Sequence, residues 1–185
     1  MDNTTALILV DIQNDYFPGG KMPLVGPETA SSNAALLLSR FREMRRPVFH
    51  IRHLAARPGA TFFLPDTPGS EIHPSVAPMA DETVVVKHFP NSFRETSLLD
   101  RLKKAGVASI VVCGAMSHMC IDATVRAASD LGFQCMVAED ACATRTLTFG
   151  RETVPAANVH AAFMASLSGA YAQVLSTEEL IRNIA

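Results

Sequence analysis

The chain has 185 residues, of which 48% are hydrophobic and only 18% are charged. A single domain accounts for this length, and so apolar a composition excludes a disordered chain. The 16 basic and 18 acidic residues give a net charge of −2, so no excess of positive charge attracts nucleic acid or an anionic membrane. We therefore predict one domain over residues 1–185, whose partners are a small-molecule substrate and further copies of the same chain.

The amino terminus and the cysteines both favour a cytoplasmic location. Residues 1–5 contain no basic segment, and the apolar run Ala6–Val10 is too short for a signal peptide or a membrane span. The spacing of the four cysteines does not match a structural zinc site. Without an export signal, a disulfide framework is not expected either. We predict buried thiols and one reactive thiol, the four cysteines being Cys113, Cys120, Cys135 and Cys142.

Apolar runs and helical periodicity alternate along the chain. In chain order, the first half is predicted to contain a strand at Ala6–Val10, a helix from about Glu28 to Arg45, a strand at Val48–Ile51, an extended excursion over residues 54–82 and a strand at Thr83–Val86. The second half is predicted to contain a helix at Ser97–Ala105, a strand at Ser109–Cys113, a helix at His118–Leu131, a strand at Phe133–Ala138, a helix with Pro155 as its first residue, a strand at Val174–Leu175 and a last helix capped by Ser176 and Glu179.

Strands that alternate with helices are typical of a parallel sheet with helices on both faces. In such sheets, ligands bind beyond the carboxyl ends of the strands. Asp11 follows the first strand, Lys87 ends the third, and Cys120 lies in the first helical turn after the fourth. A helix N-terminus and a nearby lysine favour a thiolate, and an aspartate supplies the proton acceptor and donor that acyl transfer needs. The residues alone therefore point to a cysteine hydrolase.

Three segments of the sequence resemble the isochorismatase-like cysteine hydrolases, and the resemblance extends over nearly the whole chain. The segments are Val10–Phe17, Val86–Phe93 and Gly114–Ile121. The resemblance implies a three-layer α/β/α fold with a six-stranded parallel sheet in the order 3-2-1-4-5-6. It also implies homo-oligomers, dimers or tetramers, and a catalytic triad formed by Asp11, Lys87 and Cys120.

Members of the resembled family differ in chemistry, and Cys120 distinguishes between them. Members that cleave the vinyl ether of isochorismate commonly lack this cysteine, whereas nicotinamidases, carbamoylsarcosine and ureide hydrolases and a streptothricin-lactam hydrolase use it as a nucleophile. The resemblance therefore implies hydrolysis of a C–N bond in a small amide, lactam or ureide, through a thioester on Cys120. In this reaction Asp11 moves the protons, and Lys87 holds Asp11 and stabilises the thiolate.

Three other functions stay open as alternatives. They are vinyl ether hydrolysis of the isochorismatase type, thiol redox chemistry and a non-catalytic oligomeric scaffold. The sequence contains no Cys-x-x-Cys pair, which disfavours redox chemistry. The turn after the first strand also lacks the Gly-x-Gly-x-x-Gly pattern of dinucleotide-binding proteins.

Further site residues follow from the resemblance and from their position near the triad. Family members have a cis peptide bond ahead of the cysteine, which here falls between Ala115 and Met116, and we predict that the N–H groups of Met116 and Cys120 form an oxyanion hole. Residues that flank the triad or lie in the excursion are predicted to bind substrate, with Arg52 pairing with a substrate carboxylate. They are Asn14, Phe17, Arg52, Phe62, Phe93 and Ser117.

No cofactor and no metal are predicted. Nicotinamidases of the resembled family carry an Asp-x-His…His metal cluster after the second strand, whereas the matching stretch here reads His50-Ile51-Arg52-His53. This stretch lacks an aspartate two residues before a histidine. A metal held by His50 and His53 stays open as an alternative.

Overall fold

A computed structural model describes residues 4–184 of the protein and shows a six-stranded parallel sheet. Residues 1–3 and 185, which belong to the predicted domain, lie outside the described residues. The strands are β1 Thr4–Val10, β2 Val48–His53, β3 Thr83–Lys87, β4 Val107–Ala115, β5 Gln134–Ala143, β6 Leu147–Phe149, β7 Glu152–Val154 and β8 Gln173–Leu175. The sheet order is β3-β2-β1-β4-β5-β8, so the predicted α/β architecture and strand order are confirmed. The sixth strand is β8 because an antiparallel hairpin of β6 and β7, which was not predicted, precedes it.

The helices agree with the predicted ones in number and place, with two differences at their starts. They are α1 Pro27–Glu43, α2 Leu98–Lys104, α3 Asp122–Asp130, α4 Ala156–Leu167 and α5 Thr177–Asn183. The capping box of α5 is confirmed, because Ser176 accepts a hydrogen bond from the Glu179 N–H. Pro155 is the N-cap of α4 and not its first helical residue. A π-helical turn over Ser117–Ile121 precedes α3. In residues 4–184, no helix has the length and apolar character needed to cross a membrane.

The central strand β1 is buried on both faces of the sheet. Leu7 and Leu9 belong to the core that also contains the buried residues of α1 and α5. Ile8 and Val10 belong to the opposite core, which contains buried residues of α2, α3 and α4. Burying one such side chain stabilises the fold by about 1.5–3 kcal/mol. The end of β1, where the candidate catalytic aspartate lies, is therefore held in place from both sides.

The excursion over residues 54–82 contains two short 3-10 turns and no long helix or strand, as predicted. The buried carboxylate of Asp15 fastens it to the segment after β1. This carboxylate accepts hydrogen bonds from the backbone N–H of Phe63 at 2.7 Å and of Lys21 at 3.1 Å. A buried carboxylate with such donors fixes an irregular backbone that has few ladder hydrogen bonds of its own.

The hairpin and α4 leave apolar surface exposed. Phe149, at the end of β6, exposes 87% of its surface, and Ala161, Ala162 and Ala165 of α4 are also exposed. Such a surface is compatible with contact between copies of the chain. The homo-oligomer stays a prediction, which light scattering checks against the 19.9 kDa of one chain.

The strands β1 and β4 approach each other closely at their carboxyl ends. Gly114 of β4 has φ +124°, and a Cβ atom at this position would overlap the carbonyl oxygen of Val10. The register between β4 and β5 also shifts between Val112 and Gly114. Only glycine satisfies both the backbone angle and the contact. This close approach brings the segment after β4 beside the end of β1.

We expect Gly114→Ala to lower the free energy of unfolding by about 3 kcal/mol or more, because steric overlap adds to backbone strain. Gly106→Ala is the matched control: its φ is +66°, but no atom lies within 4 Å of an added Cβ, and it should cost about 1–2 kcal/mol. Urea denaturation of both variants measures the difference. Equal losses in the two variants would contradict the argument from close approach.

Candidate active site

The carboxyl ends of β1, β3 and β4 bring Asp11, Lys87 and Cys120 together. The Lys87 Nζ lies 2.7 Å from Oδ2 of Asp11 and donates a hydrogen bond of 3.2 Å to Sγ of Cys120. Asp11 and Lys87 have no solvent exposure, and Cys120 is 5% exposed. Neither carboxylate oxygen of Asp11 receives a hydrogen bond from residues 4–184, so its contact with Lys87 is an ion pair. The three residues predicted from the strand ends therefore form one buried group with a free proton acceptor.

The backbone of Asp11 ends β1 in an unusual conformation. Its φ is +51°, in the left-handed region that aspartate tolerates better than most residues. Its N–H donates to the carbonyl of Ile51 at 3.0 Å, and its own carbonyl accepts from the N–H of Gln13 at 3.0 Å. These two hydrogen bonds fix the backbone from which the carboxylate reaches Lys87.

The turn between β4 and α3 carries the candidate nucleophile. The peptide bond between Ala115 and Met116 is cis, as predicted. The carbonyl of Met116 accepts hydrogen bonds from the N–H groups of Met119 at 3.0 Å and Ile121 at 3.2 Å, which produces the π-helical turn. Such turns often occur at functional sites. Cys120 lies inside this turn, and the oxyanion hole formed by the N–H groups of Met116 and Cys120 stays a prediction.

The charges of Asp11 and Lys87 have opposite effects on Cys120. Burial and the Asp11 carboxylate raise the pKa of the Cys120 thiol, and the Lys87 ammonium opposes them without cancelling them. Burial also disfavours the charge of Lys87, but the Asp11 carboxylate and the Cys120 sulfur outweigh it, so the pKa of Lys87 is raised. The expectation of a favoured thiolate is therefore wrong for the resting site, because burial and the carboxylate outweigh the lysine. These pKa directions favour a thiol on Cys120 and an ammonium on Lys87.

The other three cysteines are buried and free, as predicted. Burial raises the pKa of Cys113 well above its ordinary value, that of Cys135 to about 11 and that of Cys142 to about 12. Of the four cysteines, Cys120 is the one that lines the cavity described next and accepts a hydrogen bond from a lysine. Its reactivity therefore depends on its neighbours and not on an unusually low resting pKa.

A cavity of about 760 Å³ opens beside Cys120. Its walls come from the excursion, from the segment after β3 and from the nucleophile turn, and most of them are apolar or aromatic. Arg57 is the one charged side chain among the described residues that line it. The lining also includes Tyr16, His53, Phe62, Phe63, His88, Phe89, Met116 and Met119.

Of the six residues predicted to bind substrate, Phe62 lines this cavity and the other five do not. Arg52 donates hydrogen bonds to the carbonyl of Ser70 at 2.7 Å and to its hydroxyl at 3.1 Å. The predicted pairing of Arg52 with a substrate carboxylate is therefore not supported, because its guanidinium holds the excursion. Asn14 likewise donates its side-chain N–H to the carbonyl of Pro68 at 2.8 Å.

The three remaining predicted residues also serve packing. Phe17 stacks on His73 with ring centres 3.6 Å apart. Phe93 packs against the core on the α2 and α3 side of the sheet. Ser117 is fully buried, and its hydroxyl makes a hydrogen bond of 2.9 Å with Nδ1 of His160. Nearness to the triad in sequence does not place these side chains in the cavity, because each contacts another part of the chain.

The two histidines of β2 do not share a site. Side chains alternate along a strand, so residues three positions apart lie on opposite faces. The Nε2 of His50 lies 2.9 Å from Oε2 of Glu82, whereas Nδ1 of His53 lies 3.0 Å from Nζ of Lys87. Burial lowers the pKa of His50, and Glu82 opposes this shift. A metal held by His50 and His53 together is therefore excluded by geometry.

A different set of donors lies within reach of a metal ion. One ligand atom each from Asp11, His53 and Cys120 lies within 4.8 Å of the others. The ammonium of Lys87 contacts all three at 2.7, 3.0 and 3.2 Å. A divalent cation among these donors would lie against a fixed positive charge, so the residues present do not fit a metal.

The structure also shows site residues that the sequence did not reveal. The side chain of Gln13 is fully buried and holds the backbone of His53 through two hydrogen bonds. Tyr16 is buried at the cavity wall, and burial raises the pKa of its hydroxyl well above the ordinary value, so it stays a neutral phenol. Gln13 lies inside the opening segment of the resemblance, and a buried amide needs partners. Its position in that segment is the sequence signal that could have identified Gln13 as a site residue.

Comparison with known proteins agrees with this geometry. The family described as "Isochorismatase domain" matches residues 5–179. The isochorismatase family protein YddQ of Bacillus subtilis (strain 168) is 57% identical over 97% of this chain and 99% of that protein. A streptothricin hydrolase of Streptomyces noursei is 38% identical over 82% of this chain and 55% of the hydrolase. The crystal structure of an isochorismatase hydrolase from Oleispira antarctica has a TM-score of 0.95 and 55% identity, with 98% of each chain covered. The chain therefore belongs to the isochorismatase family of hydrolases.

Proposed function

We propose that this protein hydrolyses the C–N bond of a small amide, lactam or ureide through a thioester on Cys120. One observation carries the proposal: the Lys87 ammonium contacts both the Asp11 carboxylate and the Cys120 sulfur next to a cavity. A nucleophile, a proton acceptor and a fixed positive charge are the groups that acyl transfer requires. The relative that is named a streptothricin hydrolase supports this assignment.

The first step is attack of the Cys120 sulfur on the carbonyl carbon of the substrate. The thiol proton passes to the Asp11 carboxylate, which has an oxygen within 4.8 Å of the Cys120 sulfur and receives no hydrogen bond from residues 4–184. The S–C bond forms as the carbonyl π bond opens, and its electron pair moves to the oxygen. Lys87 stabilises the negative charge that develops on sulfur during the transfer. A thiol that is protonated at rest is therefore compatible with nucleophilic attack.

Collapse of the tetrahedral intermediate breaks the C–N bond. The protonated Asp11 gives its proton to the leaving nitrogen, and a thioester remains on Cys120. The oxyanion of the intermediate needs fixed N–H donors, for which we propose the backbone N–H groups of Met116 and Cys120. Asp11 then takes a proton from water, and the hydroxide attacks the thioester. The carboxylic acid, or the carbamic acid from a carbamoyl group, leaves, and the thiol of Cys120 regains its proton from Asp11.

We expect Cys120→Ala, Asp11→Asn and Lys87→Met each to lower kcat by about 10³-fold or more, because the groups act as one unit. The assay is release of ammonia or amine from a panel of primary amides, lactams and ureides. Cys135→Ala is the matched control, since this buried thiol lies outside the cavity. Hydrolysis that persists in Cys120→Ala would rule out the thioester.

The alkylation rate of Cys120 should depend on Asp11. Because the carboxylate raises the pKa of the thiol, Asp11→Asn lowers that pKa and should speed alkylation by iodoacetamide at pH 7. In the wild-type protein the rate at Cys120 should keep rising above pH 9 as thiolate forms. Peptide mapping between pH 6 and 10 measures both effects. Asp130→Asn, an exposed aspartate at the end of α3, is the control, and slower alkylation in Asp11→Asn would contradict the assigned charge effect.

The cavity charge predicts which substrates bind. No acidic side chain is present among the described lining residues, and Arg57 adds one positive charge. We expect 4-carbamoylbenzoate and 4-methylbenzamide to protect Cys120 from alkylation at lower concentrations than 4-(aminomethyl)benzamide. Arg57→Glu should make 4-(aminomethyl)benzamide protect at lower concentrations than 4-carbamoylbenzoate. Arg45→Glu, just before the amino end of β2 and outside the cavity, makes the same charge change and should leave the order of these two amides unchanged. Tighter binding of the cationic amide to the wild-type protein would contradict the prediction.

A further inference from the structure

The side chain of His53 touches the catalytic group but has no role in the mechanism above. Its Nδ1 lies 3.0 Å from Nζ of Lys87, and its ligand atom lies within 4.8 Å of the Asp11 carboxylate and the Cys120 sulfur. The same ring lines the cavity beside Cys120. His53 therefore lies between a buried ammonium and the space where a substrate would bind.

The contact with Lys87 determines where His53 carries its proton. An ammonium only donates hydrogen bonds, so Nδ1 must accept, and a neutral imidazole then carries its proton on Nε2. Burial lowers the pKa of His53 to about 4; the Asp11 carboxylate opposes this shift, and the Lys87 ammonium reinforces it. At neutral pH the ring is therefore uncharged, with one acceptor and one donor nitrogen.

The backbone of His53 is held on both sides by the buried Gln13. The N–H of His53 donates to Oε1 of Gln13 at 2.7 Å, and Nε2 of Gln13 donates to the His53 carbonyl at 2.9 Å. The same Gln13 nitrogen donates to the carbonyl of Ser70 at 2.8 Å. Two hydrogen bonds thus anchor the end of β2 and the third joins Gln13 to the excursion, so the position of the ring is set before any substrate arrives.

The donor nitrogen of His53 is free. Within residues 4–184, Nε2 has no hydrogen-bond partner, and it is not among the fully buried polar atoms. A donor that stays solvated in a mostly apolar cavity next to a nucleophile is available to a substrate. The His53 ring also lies next to Asp11, which delivers the proton to the leaving nitrogen, whereas the proposed oxyanion donors belong to the nucleophile turn.

We propose that His53 is a further catalytic residue. Its Nε2–H donates a hydrogen bond to an oxygen or nitrogen acceptor on the leaving-group side of the substrate, while its Nδ1 holds the Lys87 ammonium in place. This proposal rests on the proposed C–N hydrolysis. It implies substrates whose leaving part carries a hydrogen-bond acceptor near the scissile nitrogen, in preference to simple alkyl amides.

A kinetic comparison tests the role in turnover. His53→Gln keeps an acceptor and a donor, whereas His53→Leu keeps the size and removes both. With acetylurea, whose leaving part carries a carbonyl, we expect His53→Leu to lower kcat/KM about tenfold or more, and His53→Gln to recover part of the loss. The control is His73→Leu, in the excursion outside the cavity, which should stay within threefold. Equal activities of His53→Leu and His53→Gln would overturn the proposal.

A second experiment, by NMR, tests the protonation and contacts of His53 without depending on turnover. Long-range ¹H–¹⁵N NMR of histidine-labelled protein should show His53 as the neutral Nε2–H tautomer from pH 5.5 to 8. In Cys120→Ala, acetylurea should shift the Nε2 resonance. A proton on Nδ1 at pH 7, or no shift of Nε2 with acetylurea, overturns the role of His53. If no compound of the panel is hydrolysed while the NMR results hold, the proposed function fails and the donor assignment stands.

Discussion

The buried ion pair between Asp11 and Lys87 is the interaction on which the rest of the site depends. Neither side chain has any exposure, and the charged atoms lie 2.7 Å apart. Burying one charge without the other costs several kcal/mol, so each of the two charges stabilises the other. The sheet fixes the positions of the two charged groups, because β1 is packed on both faces and Gly114 lets β4 approach it closely. The fold therefore holds two opposite charges in a place that water does not reach.

The same pair sets the chemistry of Cys120. The carboxylate raises the pKa of the thiol, and the ammonium lowers it by less than burial and the carboxylate together raise it. A thiol that waits for its proton to be taken needs a base in contact, whereas a preformed thiolate would not. The Asp11 carboxylate, one oxygen of which lies within 4.8 Å of the Cys120 sulfur, is such a base. The arrangement therefore favours proton transfer during attack over a reactive thiolate at rest.

Much of the fold, and the three residues at its strand ends, could be predicted because these depend on local patterns. Apolar runs mark the strands, and the parallel-sheet rule brings their carboxyl ends to one edge. The cavity could not be predicted in the same way. Its walls depend on the path of residues 54–82, which long-range contacts such as Asp15 with Phe63 and Arg52 with Ser70 determine. The raised pKa of Cys120 could not be predicted either, because the sequence indicates a nearby lysine but not how deeply the thiol is buried.

The contacts of Lys87 limit what this residue can do in the reaction. An ammonium has three N–H donors, and Lys87 uses them on His53 at 3.0 Å, the carbonyl of Phe89 at 3.1 Å and Cys120 at 3.2 Å. Its contact with Asp11 at 2.7 Å is an ion pair. No donor is left over for the oxygen of a tetrahedral intermediate. Lys87 therefore acts on sulfur and on the carboxylate through its charge, and the oxyanion must find its donors elsewhere. The backbone of the turn that carries Cys120 is next to the reacting sulfur, and backbone N–H groups there need no reorganisation as the charge develops. In the proposed mechanism, the backbone N–H groups of the nucleophile turn therefore stabilise the oxyanion, because all the donors of Lys87 are already engaged.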